Sequence, residues 1–111
     1  TEGSSGLDLA AHTNENIEIK PGSTAIIPTG LALSIPKNFE IQIRPRSGLA
    51  AKNQLSVLNT PGTIDADYRG ELKVILINLG AKSFLVENGA RIAQMVLCPV
   101  VKADLKEVGV R

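Results

Sequence analysis

Residues 39–44 read FEIQIR, an uninterrupted alternation of apolar and polar side chains. Successive side chains of a β-strand point to opposite faces, so this pattern predicts a half-buried strand. Short runs bounded by Gly, Pro and Asn flank it, and they predict further strands over residues 17–19, 24–27, 31–35, 55–58, 71–79, 82–86 and 91–101. Helical character is limited to one short turn, residues 47–53. The sequence therefore predicts an all-β fold, a jelly-roll-like barrel or sandwich.

Two short turn signals indicate how the strands connect. Asn88-Gly89 separates the last two strands and predicts a hairpin, because both residues tolerate positive φ. Pro28-Thr29-Gly30 stands between residues 24–27 and 31–35, and we expect it to end the first of these strands.

Two of the predicted strands are apolar on both faces, over residues 72–79 and 92–98. A strand of a two-sheet domain buries only one face, so the second faces predict contact with another copy of the chain. The alternative is a pair of central strands, each with one face under a loop. A small chain with three aromatic residues favours the oligomer, since association adds buried surface.

Composition limits the classes of function. The 111 residues fit one domain, residues 1–111, and 12 Lys and Arg against 11 Asp and Glu give a net charge of +1. This balance disfavours nucleic-acid binding. No apolar run approaches the ~20 residues of a membrane span, and no signal segment opens the sequence, so we expect a cytoplasmic protein. The single cysteine, Cys98, is expected to be an inert core thiol.

Two segments in the first half of the sequence carry polar side chains that are candidates for a chemical role. Asp8 stands between two leucines in a run of small residues, where an exposed acid on an edge strand is the simpler interpretation. Arg46, Ser47 and Gly48 lead into the helical turn, where unpaired backbone N–H groups favour a phosphate. Ser47 is equally suited to be the helix N-cap, which leaves both interpretations open.

Two further segments follow. Residues 59–71 hold Asn59, Asp65, Asp67 and Tyr68, and such a hairpin offers amides to a base, a carboxylate to a water and a ring to a sugar. A solvated loop explains the same residues. Gln94 interrupts an apolar strand, so its amide must find a partner in protein, water or ligand.

Taken in order, the four segments resemble the motifs of the trimeric dUTP pyrophosphatases (dUTPases) across essentially the whole chain. The matching stretches are residues 5–9 (SGLDL), 45–50 (PRSGLA), 62–65 (GTID) with 68–70 (YRG), and 91–94 (RIAQ). Each is weak alone, but four in this order are specific. The resemblance implies a jelly-roll-like homotrimer with active sites between subunits. It also implies hydrolysis of dUTP to dUMP and pyrophosphate with Mg²⁺, which limits uracil in DNA and supplies dUMP for thymidylate.

The resemblance also implies roles for individual residues. Asp65 would be the catalytic base for the water that attacks the α-phosphorus, and Asp8 would reach Mg²⁺ through a metal-bound water. Tyr68 would stack under the deoxyribose and exclude a 2′-hydroxyl. The phosphates would be bound by Arg46, Ser47, Gly48 and Gln94, and the uracil by Asn59, Gly62, Thr63, Ile64 and Lys73.

Family members usually continue into a flexible arm, rich in Gly and Arg, that closes over the substrate. This sequence ends at residues 108–111, where the arm would begin; if the protein lacks the arm, we expect the fold to survive and catalysis to be poor. The alternatives are a dCTP deaminase-type relative and a non-catalytic jelly-roll protein. The first places a catalytic Glu on the strand after the third motif, where residues 72–79 offer only Lys73 as a charged side chain.

Overall fold

The computed structural model describes residues 2–109, so residues 1, 110 and 111 of the predicted 1–111 domain lie outside the described residues. Nine strands and one short helix confirm the all-β prediction. The strands are β1 Leu7–Ala10, β2 Ile17–Ile19, β3 Thr24–Ala32, β4 Phe39–Arg44, β5 Leu55–Val57, β6 Gly62–Ile64, β7 Glu71–Asn78, β8 Phe84–Val86 and β9 Arg91–Pro99, and the helix is α1 Ser47–Asn53.

The strands form three antiparallel sheets. Their orders are β1-β9-β4-β6, β3-β7-β5 and β2-β8. The four-stranded sheet carries Asp8, Arg44 and Gln94 side by side, because Gln94 is the register partner of both Asp8 on β1 and Arg44 on β4. This sheet therefore brings the first and fourth motifs together, although more than 80 residues separate them in the sequence.

One apolar core lies between the inner faces of these sheets. Aliphatic side chains dominate it, as the scarcity of aromatic residues requires. Each sheet contributes to the cluster, whose buried members are Leu9, Ala11, Ile19, Ile27, Ile43, Val57, Val74, Leu76, Val86, Ile92 and Ala93. The two-faced pattern of residues 72–79 becomes one buried face and a less buried face with Ile75 and Ile77.

Strand β3 corrects the prediction that Pro28-Thr29-Gly30 ends a strand. Pro28 pairs opposite Lys73 and Ala32 opposite Glu71, so β3 continues through an irregular segment. The Thr29 hydroxyl donates to the Leu72 carbonyl at 2.7 Å and accepts from the Leu31 N–H at 3.2 Å. Side-chain bonds thus keep β3 attached to β7 where a proline supplies no backbone donor.

The predicted hairpin at Asn88-Gly89 is wrong, although the turn exists. Ala90 N–H donates to the Glu87 carbonyl at 3.0 Å, and Gly89 has a φ of +84°. The strands on either side belong to different sheets, since β8 pairs with β2 and β9 pairs with β1 and β4. The turn carries the chain from one sheet to another.

Residues 101–109 are exposed and have no regular secondary structure. Within residues 2–109, no helix has the length and apolar character needed to cross a membrane.

Candidate functional site

The residues singled out in the sequence fall into two groups. Beyond Arg44, the first group consists of Asp8, Arg46, Ser47, Gly48 and Gln94, which we call the arginine cleft. The second group lies on residues 59–71, a segment that contains β6 and that we call the 59–71 loop; its acids Asp65 and Asp67 lie near Phe39 at the far end of β4. Each group is built by a different set of strand pairings.

Two arginines surround the carboxylate of Asp8 in the arginine cleft. Arg46 Nε lies 3.4 Å from Asp8 Oδ1, and Arg91 Nη1 lies 3.8 Å from Asp8 Oδ2. Arg46 Nη1 also donates to the Arg91 carbonyl at 3.3 Å, which links the end of β4 to the start of β9. Two cations around one acid leave the cleft with an excess positive charge, which favours an anionic ligand.

Gln94 has the protein partner that the sequence required. Its Nε2 donates to the Pro45 carbonyl at 3.0 Å, and the side chain is half-buried. Its Oε1 lies against Gly6, where a Cβ atom would stand only 2.6 Å away. Gln94 therefore holds the chain just before Arg46 and occupies space that only glycine at position 6 leaves free.

The start of α1 decides against the alternative in which Ser47 is the N-cap. The N-cap is Arg46, with φ −88° and ψ 127°, and no side-chain hydrogen bond caps the helix. Ser47 is instead the first helical residue. Together with Gly48, Asp8, Arg46 and Gln94 it lines a cavity of about 200 Å³. The start of α1 thus faces the same cleft as the Asp8 carboxylate and the Gln94 amide. This arrangement fits a phosphate-binding role for Ser47 better than a capping role.

The 59–71 loop joins two sheets, which corrects the prediction of a hairpin. Its first strand, β6, pairs with β4, while the following β7 pairs with β3 and β5. A turn closes between them, where the Tyr68 N–H donates to the Asp65 carbonyl at 3.1 Å. The Arg69 guanidinium donates to the Ala66 and Tyr68 carbonyls and ties the turn together.

Asp65 lies at the tip of β6 with its side chain exposed. It lines a cavity of about 340 Å³ together with Asp67, Lys37 and Lys102 among others. Within residues 2–109, no group of three or more His, Cys, Asp or Glu side chains is placed to hold a metal ion.

Tyr68 and Asn59 each lie against a glycine of the same segment. Tyr68 is 43% exposed, and its hydroxyl donates to the Glu71 carbonyl at 2.8 Å. A Cβ atom at Gly70 would stand 2.6 Å from that hydroxyl oxygen, and one at Gly62 would stand 3.0 Å from Asn59 Nδ2. The segment thus presents an aromatic ring and an amide at its surface.

The remaining predicted residues are spread along the strands. Thr63 is exposed on β6, and Ile64 beside it packs partly against the core. Lys73 is exposed on β7 opposite Pro28, in a different sheet from the arginine cleft. Lys73, which was predicted to contact the uracil, also lies in a different sheet from Gly62, Thr63 and Ile64.

Sequence reasoning gave no role to Arg91 and Glu71, which contact the predicted residues directly. Arg91 holds Asp8, and Glu71 holds Tyr68 through its carbonyl. The antiparallel pairing of β1 with β9 places Arg91 beside the strand of Asp8, and the sequence does not reveal which strands pair. The signal available for Arg91 was its position three residues before Gln94.

One chain keeps Asp65 and the arginine cleft apart. Asp65 follows Ile64, whose register partner is Ile41, whereas Arg44 at the far end of β4 pairs with Gln94. At ~3.3 Å per strand residue, Ile41 and Arg44 are about 10 Å apart, and Arg46 lies further along the chain. A base and the phosphorus centre it serves must be bridged by one water, so one chain does not complete a site for that reaction.

Comparison with known proteins identifies a family. The dUTPase family model matches residues 1–110. The deoxyuridine 5'-triphosphate nucleotidohydrolase of Bartonella bacilliformis is 58% identical over 108 residues, which cover 96% of this chain and 61% of that protein. The enzyme of the same name from Rickettsia prowazekii is 61% identical over 97 residues, covering 87% of this chain and 66% of that protein. The chain thus spans just under two thirds of the length of these two relatives.

Solved structures share the fold. The dUTPase from phage phi11 of S. aureus superposes with a TM-score of 0.87 at 23% identity, covering 100% of this chain and 86% of that chain. The dUTPase from Streptococcus mutans superposes with a TM-score of 0.85 at 27% identity, covering 94% of this chain and 84% of that chain.

Proposed function

Because the chain belongs to the dUTPase family, we propose that it hydrolyses dUTP to dUMP and pyrophosphate at sites shared between the chains of a homotrimer. The observation that carries this proposal is the separation of Asp65 from the arginine cleft within one chain. A neighbouring copy that sets its 59–71 loop against the cleft supplies the missing half. A ring of three copies closes such a contact without requiring a self-complementary patch.

The arginine cleft is suited to the triphosphate. Arg46 and Arg91 outnumber the single carboxylate of Asp8, and the Ser47 and Gly48 backbone lies at a helix start beside them. Guanidinium groups bind phosphate oxygens in two-point fashion. When a triphosphate enters, Arg46 exchanges its 3.4 Å contact with Asp8 for shorter bonds to phosphate, which leaves the Asp8 carboxylate free for a water-bound cation.

Magnesium fits this donor set without a protein cage. Asp8 is a hard oxygen donor at the edge of a cavity of about 660 Å³ that it shares with Ser4, Ser5, Arg91 and Gln94. Mg²⁺ keeps several waters and is usually held by one or two carboxylates and substrate phosphates. When bound, the ion offsets the negative charge that builds up on the phosphate oxygens. Asp8 would hold the ion through a water, and Arg46 and Gln94 would hold the phosphates.

The exposure of Asp65 supports its assignment as the base. Its carboxylate is exposed at the turn after β6, free to take a proton from a water that a partner's cleft brings with the substrate. Lys37 and Lys102 line the same cavity and offset the charge of the acid pair Asp65 and Asp67. Proton removal from the water as it attacks the α-phosphorus is then general base catalysis.

The 59–71 loop is suited to a pyrimidine deoxynucleoside. Asn59, held over Gly62, offers both a donor and an acceptor to the uracil edge, and the backbone of residues 62–64 provides further groups. Tyr68 presents a ring that stacks under the sugar. A ribose would place its 2′-hydroxyl against this ring, so the site discriminates against UTP by a steric clash.

The test is an assay of the purified protein with dUTP and Mg²⁺ that follows pyrophosphate and ammonia in parallel. The proposal expects pyrophosphate and dUMP in equal amounts with dUTP and no ammonia with dCTP. Release of ammonia from dCTP would indicate the deaminase-type relative instead. Absence of both products, together with no binding of a non-hydrolysable dUTP analogue, would support a non-catalytic jelly-roll protein.

A further inference from the structure

The Tyr68 ring is held from two sides by the residues that follow it. One edge of the ring lies beside Gly70. A Cβ atom added at Gly70 would stand 2.6 Å from the hydroxyl oxygen, 2.8 Å from Cζ and 3.1 Å from Cε1. These separations are below van der Waals contact, so no side chain at position 70 is compatible with the ring where it stands. The ring occupies room that glycine alone provides.

A hydrogen bond from the Tyr68 hydroxyl also restrains the orientation of the ring. The Tyr68 hydroxyl donates to the Glu71 carbonyl at 2.8 Å, which prevents the ring from swinging away from Gly70. With its hydroxyl and one edge engaged, the side chain still remains 43% exposed. Tyr68 is therefore an exposed aromatic ring in a fixed orientation, which is unusual for a surface side chain that packs on no core.

The Glu71 carbonyl is itself held in place by a contact across the sheet. Glu71 Oε2 accepts the Gly30 N–H at 3.0 Å, at the irregular part of β3 where Gly30 has a φ of +71°. Glu71 begins β7 and pairs with Ala32, the β3 residue that follows the irregular segment, so its backbone is also tied to β3. The orientation of the ring thus depends on a chain of contacts from Gly30 through Glu71 to Tyr68.

We propose that Gly70 and Glu71 are positioning residues that fix the Tyr68 ring and thereby set the preference for deoxyribose over ribose. This inference rests on the proposed function. A ring that tips by even one rotamer step yields space to a 2′-hydroxyl, so discrimination by clash requires a ring that does not yield. Holding the ring before substrate arrives also removes the entropy cost of ordering it on binding.

The first experiment compares Gly70→Ala with Gly3→Ala. Both add one methyl group, but a Cβ atom at Gly3 meets no atom within 4 Å, whereas one at Gly70 meets the hydroxyl end of the Tyr68 ring. Gly70→Ala is expected to displace the ring, leave the fold intact and lower the ratio of kcat/KM for dUTP over UTP by about fivefold or more, the factor one neutral hydrogen bond is worth. The narrowing should appear mainly as a higher kcat/KM for UTP, because the displaced ring no longer clashes with the 2′-hydroxyl.

Tyrosine emission gives a readout that does not depend on catalysis. The chain has one Tyr and no Trp, so its tyrosine fluorescence reports on Tyr68 alone. Gly70→Ala should make this emission more accessible to a neutral quencher such as acrylamide, while Gly3→Ala should leave quenching unchanged. Unchanged quenching and unchanged selectivity in Gly70→Ala would overturn the positioning role.

A second pair of variants covers the case in which Gly70→Ala fails to fold. Glu71→Ala removes the acceptor of the Gly30 N–H, whereas Glu71→Gln keeps an acceptor oxygen there. The inference expects lower dUTP-over-UTP selectivity in Glu71→Ala and recovery in Glu71→Gln. Equal selectivity in both would overturn the part assigned to Glu71. A wild-type protein that does not hydrolyse dUTP would overturn the proposed function, and the quenching comparison would still decide whether Gly70 holds the ring.

Discussion

Asp65 is the residue on which the proposed chemistry depends. We expect Asp65→Asn to lower kcat by ~10²–10⁴-fold, because the amide does not take up a proton from water. Melting temperature should not change, since the side chain is exposed and the amide is nearly isosteric. Asp67→Asn is the matched control, because Asp67 lines the same cavity and is equally exposed, and it should retain nearly wild-type kcat. Equal activity of the two variants would show that Asp65 is not the base.

Substitution of Tyr68 distinguishes a ring that stacks on the sugar from a ring that stabilises the fold. Truncation of a buried aromatic side chain costs ~3–5 kcal/mol, but Tyr68→Ala removes a 43% exposed ring and one hydrogen bond, so we expect about 1 kcal/mol. The preference for dUTP over UTP should narrow at the same time. Phe84→Ala, which removes a ring packed against the core, should lower the melting temperature further and leave the preference unchanged. A large loss of stability in Tyr68→Ala with unchanged preference would contradict the platform.

At the residue scale, the resemblance located the polar side chains but not their partners. Arg46, Gln94 and Tyr68 were singled out from the sequence, and the structure places each beside a ligand-sized cavity or at the surface. The Asp8–Arg91 contact and the Tyr68–Glu71 bond were not predicted. The first depends on which strands pair. The second depends on a carbonyl, which every residue carries and which therefore leaves no trace in sequence.

At the level of helices and strands, sequence patterns predicted the elements whose formation depends on neighbouring residues alone. The alternation in residues 39–44 predicted β4 with its observed ends, and residues 47–53 form α1 as expected. The strand end predicted at residue 27 was wrong. β3 continues beyond it because the Thr29 hydroxyl bonds to β7 where Pro28 has no N–H to donate. The hairpin predicted at Asn88-Gly89 was also wrong. A tight turn sets the direction of the chain, but it does not determine which sheet the next strand joins.

Asn78, at the end of β7, ties separate elements together from within the core. Its Nδ2 donates to the Ile19 and Lys82 carbonyls, each at 2.8 Å, and its Oδ1 accepts the Gly80 N–H at 2.9 Å. Asn78→Ala leaves these groups unpaired, and we expect a loss of about 3 kcal/mol in the free energy of unfolding. The exposed Asn14→Ala should change it by less than ~0.5 kcal/mol. Urea denaturation of both variants measures the difference, and similar midpoints would contradict the role given to Asn78.

At the scale of the whole molecule, exposed apolar side chains favour association. Ile26 is 61% exposed and pairs opposite Ile75, so an apolar patch lies on the outer face of the β3-β7-β5 sheet. Leu97 on β9 is 52% exposed on the other large sheet. We expect light scattering at micromolar concentration to give three times the 11.7 kDa chain mass. A monomer under these conditions would contradict the shared site.

The most direct measurement of the central claim is complementation between two inactive variants. Asp65→Asn lacks the base and Arg46→Ala lacks the phosphate-binding guanidinium, so each alone should be inactive. If each site takes Asp65 from one chain and Arg46 from another, trimers formed by coexpression of the two variants in equal amounts contain both wild-type residues in about one quarter of their sites. The account predicts that the coexpressed protein recovers close to this fraction of wild-type kcat. No recovery, in protein shown to contain both variants in one assembly, would mean that each chain supplies its own Asp65 and Arg46 to one site, which contradicts the account.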